Sequence, residues 1–478
     1  MPYFIRPTPV KLDWASAGFA TSAESNSPTR ASDLIVHQRS DVSESPDKVF
    51  RAGFVPALDP GAGGVFQYSA SMMEALSSIA KQDSSIELIA LVPVSIAGKC
   101  AKFEADGWRV VPVSAPATKM RGVFKQIAGE GRLRDAWRWL RRRAATRTQG
   151  SSRAADTAPI RQRHDLANWW KSHGIDLLIF PQPHPWAFET GIPSMVAIHD
   201  VQHRLQPEFP EVSADGEWER REYLMRNLAA SAAGIFVDSD VGREHLSLFY
   251  GAYGATDERL HVLPFLPAST MRRFVSTAEQ AAVRARYGIP DAYIFYPAQF
   301  WSHKNHARII EAMEQIRNVA GTEIAAVFCG SHAGAARERH FELLMTMARR
   351  CGVANQIQIL GFVSDDELAA LYAGARALVM PTFFGPTNIP VLEAWAAGCA
   401  VITSDIPGVR EQAGDAALLV DPRQSDHLAT AILRIWNDDA LRRTLAERGA
   451  QRLAEYGPDE FQVRLRAALQ SVRAAIHR

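Results

Sequence analysis

The chain is predicted to be an α/β protein with two doubly wound, parallel-sheet domains. Three observations predict this. Short apolar runs bounded by turn residues recur from Val49 almost to the C-terminus, and amphipathic stretches with helical spacing lie between them. The series pauses at Pro264–Phe274, where prolines and polar residues interrupt it before a fresh strand begins. Strands alternating with helices make right-handed βαβ units, hence parallel sheets covered on both faces.

A length of 478 residues with 47% hydrophobic and 22% charged residues suits two or three domains with substantial cores, and excludes a mainly disordered chain. In order, residues 1–47 are rich in Ser, Ala, Pro and Asp and read as a loosely ordered extension. Residues 48–275 form the first domain. Its strands are expected at Val49–Leu58, Ile86–Val94, Arg109–Val113, Asp176–Phe180, Met195–His199, Gly234–Asp238 and Leu260–Leu263. Helices are expected at Gly64–Ala80 and Glu217–Ala233. Residues 276–458 form the second domain, with strands at Ala292–Pro297, Glu323–Cys329, Ile357–Phe362, Ala377–Pro381, Ala400–Ser404 and Ala417–Val420. A last helix within 459–478 has no strand after it; it either caps the second sheet or crosses back to the first domain. Two such domains facing each other place the carboxyl ends of their strands at a shared cleft, where ligands bind in this architecture.

Fifty-three basic residues against 52 acidic give a net charge of +1, so no global field recruits nucleic acid. Cys100, Cys329, Cys351 and Cys399 are far apart, with no CxxC pair, which suits core residues in a reducing compartment. With no run of ~18 apolar residues and no signal-peptide pattern at Met1–Val10, the expected location is cytoplasmic. One segment breaks the neutral balance: residues 119–148 hold ten Lys or Arg against two acids, interleaved with Trp137, Trp139 and Leu140. It is either a basic amphipathic helix touching anionic lipid at the inner membrane face or an acceptor that carries a lipid phosphate, or a solvated helix face followed by a flexible loop.

Four segments carry chemistry. Asp59-Pro60-Gly61-Ala62-Gly63-Gly64 follows the first strand and opens a helix; the pattern fits a phosphate cradle and a tight turn equally well. His199-Asp200 is at a strand's carboxyl end, where an imidazole can position or deprotonate a hydroxyl. Gln299 to His306 follows the second domain's first strand. Lys304 there is placed to pair with phosphate oxygens as a point charge, whereas His303 and His306 lack a third ligand for a metal. The sharpest segment is Pro381 to Gly398. After a Gly/Pro/Asn loop a helix is expected to start near Pro390, so the N–H groups of Thr387, Asn388 and Ile389 can wrap a diphosphate. Glu393, expected in the first turn, can accept two hydrogen bonds from vicinal ribose hydroxyls or merely suit the helix dipole.

Together these residues resemble a family. The run Tyr296–Val420 is similar to the donor-binding half of family 4 glycosyltransferases, retaining enzymes of the GT-B fold. The matching pieces are Lys304 between strand and helix, Leu360-Gly361-Phe362-Val363-Ser364, Pro381 to Gly398, Ser404-Asp405, and Glu411 followed by Gly414-Asp415. Upstream, Gly63-Gly64, His199-Asp200, Asp238-Ser239 and Val262-Leu263-Pro264 also match. The resemblance implies a sugar transferred from a nucleotide diphosphate sugar to a saccharide or lipid-linked acceptor, with no metal and no cofactor beyond that co-substrate. It implies that Lys304 neutralises the diphosphate, Glu393 holds the ribose, Gly63-Gly64 approaches phosphates or sugar, His199 lies near sugar and acceptor, and the base lies by Gly361-Phe362.

Two positions depart from the family pattern. Gly385 stands where a second glutamate is usual, eight residues before Glu393, and Gln299 stands where an arginine is usual, five before Lys304. The combination resembles a branch in bacterial surface-polysaccharide synthesis. Other readings of the same fold are a nucleotide-sugar-binding protein without turnover, and an epimerase or phosphorylase.

Overall fold

Among the described residues thirteen strands, numbered in chain order and each parallel to its neighbours, form a seven-stranded sheet of order β3-β2-β1-β4-β5-β6-β7 and a six-stranded sheet of order β10-β9-β8-β11-β12-β13. The computed structural model describes residues 49–59, 63–98, 100–113 and 162–477. The expected N-terminal extension, Pro60–Ala62 and the basic segment 119–148 lie outside the described residues. Both sheets belong to one compact unit, Lys48–Arg478.

The first sheet holds β1 (Phe50–Phe54), β2 (Ile86–Pro93), β3 (Arg109–Val113), β4 (Leu177–Phe180), β5 (Ser194–Ala197), β6 (Gly234–Val237) and β7 (Leu260–Val262). The second holds β8 (Ile294–Pro297), β9 (Ala326–Cys329), β10 (Ile357–Ile359), β11 (Ala377–Met380), β12 (Val401–Ser404) and β13 (Leu418–Val420). Several strands are shorter than their apolar runs. β1 stops at Phe54 rather than Leu58: Val55 donates the last ladder bond to the Ile179 carbonyl, and Pro56 has no N–H to continue. β10 ends at Ile359 rather than Phe362, because the chain turns at Gly361 with φ +68°. β5 ends at Ala197, which leaves His199 two residues beyond the sheet.

In each sheet the strand order reverses once, between β1 and β4 and between β8 and β11, and such switch points open the crevices where ligands bind. The last helix, Pro458–Ile476, leaves the second half and packs on the helix Gly64–Gln82 of the first. Phe461 meets Tyr68 edge-on at 6.1 Å, and Arg473 donates to the Ser85 hydroxyl at 2.9 Å. An apolar cluster therefore runs from Phe50 and Met72 through Leu465 and Val472 to Ile294 and Trp395. A second cluster, with Trp170, Phe180, Leu228 and Tyr250, fills the other face of the first sheet. No helix among the described residues is long and apolar enough to cross a membrane.

Candidate functional site

The segments singled out in the sequence all leave carboxyl ends of strands. Gly63-Gly64 follows β1, His199-Asp200 follows β5, the turn Ala298–Asn305 follows β8, Gly361-Phe362 follows β10, and Pro381–Asn388 follows β11. The two halves approach where Gly64 begins its helix: a methyl group there would lie 3.1 Å from Ile389 Cδ1, at the first turn of the helix Ile389–Ala396. Two helix N-termini, both favourable to anions, thus face each other.

Lys304 closes a short 3-10 turn, Ser302–Lys304, in which its N–H donates to the Trp301 carbonyl at 3.0 Å. Asn305 next to it is left-handed, with φ 59°, and its buried amide donates to the carbonyls of Pro381 and Pro422 at 2.8 Å each. Phe383 N–H donates to the His303 carbonyl at 2.8 Å, so the β8 and β11 loops are zipped together. Burial lowers the Lys304 ammonium to about 8, against the attraction of Asp200 and Glu211. No carboxylate lies within 4.0 Å of it among the described residues.

Glu393 lies in the second turn of its helix, not the first, because the helix begins at Ile389 rather than Pro390. Its carboxylate accepts from the Tyr372 hydroxyl at 2.8 Å. Burial nevertheless pushes it up to about 7, opposed by that bond and reinforced by Asp365. The expected diphosphate cradle is also incomplete, because one of its three N–H groups is engaged. The Asn388 N–H donates to Gln412 Oε1 at 2.9 Å, and Gln412 donates back to the Asn388 carbonyl at 3.0 Å. Of the three N–H groups, those of Thr387 and Ile389 have no acceptor among the described residues. Gly385 has φ +142°, and a Cβ there would lie 2.5 Å from Asn388 Oδ1, so the Asn388 amide occupies the space a side chain would need.

His199 Nε2 is 2.8 Å from the Pro181 carbonyl, to which it must donate, leaving Nδ1 as the lone-pair acceptor. The ring stacks on Phe265 at 5.2 Å and meets Tyr68 edge-on at 4.9 Å. Burial lowers its pKa, so the imidazole is neutral near pH 7. Phe362 is 85% exposed, an aromatic face open to a planar ring. The Gln299 side-chain Oε1 accepts from Trp301 Nε1 at 3.0 Å and from Arg337 at 2.7 Å. His306 is buried, stacked on Phe300 at 4.5 Å, and lowered by burial to about 3. Among the described residues no cluster of three or more His, Cys, Asp or Glu side chains is placed to hold a metal.

Four ties between the halves escaped the sequence reading. Glu211 accepts from the His303 backbone at 2.9 Å and from Nδ1 at 2.7 Å; burial would raise its carboxyl, but these bonds hold it below the usual range. Gln206 donates to the Phe383 carbonyl at 2.8 Å. Thr387 donates to Asp238 at 2.5 Å, and burial still pushes Asp238 up to about 7. Glu411 accepts from the N–H groups of Asp240 and Val241, 2.9 Å each, at the N-terminus of the helix Asp240–Tyr250. The partners are 92 to 177 residues apart, too far for any local pattern.

Residues 280–452 match the family model described as glycosyl transferases group 1. The match covers about a third of the chain. It contains β8 to β13 and all the second-half site residues. The O-antigen chain mannosyltransferase B of Escherichia coli is 33% identical over 115 residues, 24% of this chain and 30% of that protein. The alpha-D-kanosaminyltransferase of Streptomyces kanamyceticus is 24% identical over 267 residues, 54% of this chain and 65% of its own. The chain spans less than two thirds of the length of each of these curated relatives. Among solved structures, Anabaena HepE in complex with UDP-glucose superposes with a TM-score of 0.62 at 15% identity, covering 88% of this chain and 99% of that one. WaaG, a glycosyltransferase involved in lipopolysaccharide biosynthesis, gives 0.55 at 15% identity over 88% and 98%. At these identities the likeness is one of fold: the two parallel sheets form the GT-B architecture.

Proposed function

We propose that the chain is a retaining glycosyltransferase that moves a sugar from a nucleotide diphosphate sugar to a saccharide or lipid-linked acceptor in polysaccharide or glycolipid synthesis. The observation that carries this reading is Lys304: a carboxylate-free ammonium on a turn zipped to the loop that opens the Ile389 helix. In the proposed reaction the bond between the anomeric carbon and the diphosphate oxygen breaks. The acceptor oxygen bonds to that carbon on the same face, and its proton passes to the departing phosphate. Lys304 and the N–H groups of Thr387 and Ile389 compensate the charge that grows on the leaving group. Glu393 holds the ribose, Phe362 covers the base, and His199 Nδ1 accepts from a sugar hydroxyl.

The uridine nucleotide in the HepE structure makes UDP the first candidate for the nucleotide. Cytoplasmic placement and peripheral contact of segment 119–148 with anionic lipid belong to the same reading. The test is transfer from UDP-, GDP- and ADP-sugars to mixed saccharide and lipid-linked acceptors, with the product anomer read by NMR. Lys304→Ala should abolish transfer with the fold intact. Full activity in that variant removes Lys304 from the phosphate site.

A further inference from the structure

We propose that Arg337 is a second cation of the donor diphosphate site, delivered from a different strand loop and held in place by Gln299. The inference rests on the proposed function and deepens it. Arg337 stands in the first turn of the helix Ala335–Arg350, the end where a positive charge opposes the helix dipole. No carboxylate lies within 4.0 Å of it among the described residues. Glu338, its neighbour, is turned to the Gly334 N–H at 3.1 Å. What Arg337 does touch is neutral. Its guanidinium donates to Gln299 Oε1 at 2.7 Å and lies over the Trp301 ring at 4.8 Å. Among the described residues this half-buried arginine, set against its helix dipole, is held by an amide and an indole, and no carboxylate neutralises its charge.

The location follows from backbone contacts. Gly330, with φ +143°, packs against the Ala298 carbonyl more closely than any side chain would allow, and its N–H donates to the Gly361 carbonyl at 2.9 Å. The loops after β8, β9 and β10 are therefore pressed together, and the Ala335 helix starts beside Gln299. Within the β8 turn, Trp301 N–H donates to the Gln299 carbonyl at 2.8 Å and Lys304 N–H to Trp301 at 3.0 Å. Arg337 and Lys304 thus attach to the two ends of one compact turn. Gln Oε1 is as many bonds from Cα as arginine Nε, so an Arg337 nitrogen 2.7 Å beyond it has a reach comparable to that of the terminal nitrogen of an arginine at position 299. Gln299 then serves as a positioning residue, its side-chain Oε1 receiving Trp301 Nε1 and Arg337 together.

The test is calorimetric titration of wild type and Arg337→Gln with UDP, GDP and ADP, and with the matching nucleosides. A phosphate contact predicts that the variant loses about tenfold or more in diphosphate affinity. Its nucleoside affinity stays unchanged, and Gln299→Arg added to it restores the loss. Diphosphate binding within twofold of wild type overturns the proposal, as does equal loss for diphosphate and nucleoside. Should Arg337→Gln fail to fold, Gln299→Leu reads the same contact from its other side: untethering Arg337 weakens the diphosphate several-fold, and an unchanged affinity overturns the proposal. A wild type that binds none of the three diphosphates defeats the proposed function itself, and Arg337 with it.

Discussion

Gly64 and Ile389 are separated by 325 positions in sequence, yet a single methyl group on Gly64 would reach within 3.1 Å of Ile389 Cδ1. This contact brings the helix entry after β1 against the helix entry after β11. A side chain on Gly64 would wedge the halves apart without backbone strain at its own position. Gly64→Leu is expected to leave nucleoside diphosphate affinity near wild type, because Lys304 and Glu393 both belong to the second half. Transfer efficiency should fall by a factor on the order of 10 to 100, since the sugar and acceptor are misplaced. Steady-state kinetics beside calorimetry separate the two; unchanged turnover would show that the contact does not set the reacting geometry.

The pH dependence of donor binding should have two limbs. Lys304 must be protonated to pair with phosphate, and its pKa is lowered to about 8. Glu393 must be ionised to accept from ribose hydroxyls, and its pKa is raised to about 7. Nucleotide-sugar affinity should therefore peak between these values and fall by about tenfold per pH unit outside them. A nucleoside should show the acid limb alone, and Lys304→Arg, which cannot deprotonate in this range, should lose the alkaline limb. A flat profile across both values would contradict the assigned roles.

The same Glu393 costs stability. Its folded pKa of about 7 exceeds the ordinary 4.5, so the unfolded chain releases that proton first. Stability is lost as pH rises from about 4.5 to about 7, and the penalty is complete above that. Glu393→Gln keeps an acceptor for the Tyr372 hydroxyl without the charge. It should melt a few degrees above wild type at about pH 8 and level with it near pH 4.5, while binding donor more weakly. A lower melting temperature at both values would mean that the carboxylate stabilises the fold.

Closure of the crevice should depend on Glu411. Its carboxylate caps two N–H groups of the opposite half, a charge-to-helix contact whose loss costs about 1 kcal/mol. Glu411→Ala should shift the balance toward an open form by about fivefold. Small-angle scattering would show this as a larger radius of gyration that added donor reverses. An unchanged radius would leave Glu411 a local cap.

The sequence carried the fold because a strand buried on both faces is written as a continuous apolar run. Leu177–Phe180 and Ala377–Met380 are uniformly buried and need no long-range information to be recognised. The strand ends were less readable, since Pro56 and Gly361 stop a ladder through backbone properties that apolarity does not register. Lys304 and Glu393 stood out by their place in strand–loop–helix order. Their neighbours did not. Tyr372 reaches Glu393 from another helix, Gln412 takes the Asn388 N–H, and Glu211 reaches His303 from the other half. Each of these pairs exists only after folding, and none has a spacing that a linear reading could use.

The most direct measurement is calorimetric titration of the protein with UDP, GDP and ADP, repeated on Glu393→Ala. One nucleotide should bind clearly and bind about tenfold or more weakly in the variant, whose carboxylate no longer accepts from the ribose. Failure of all three to bind, or equal binding by wild type and variant, would contradict a donor site at Lys304 and Glu393.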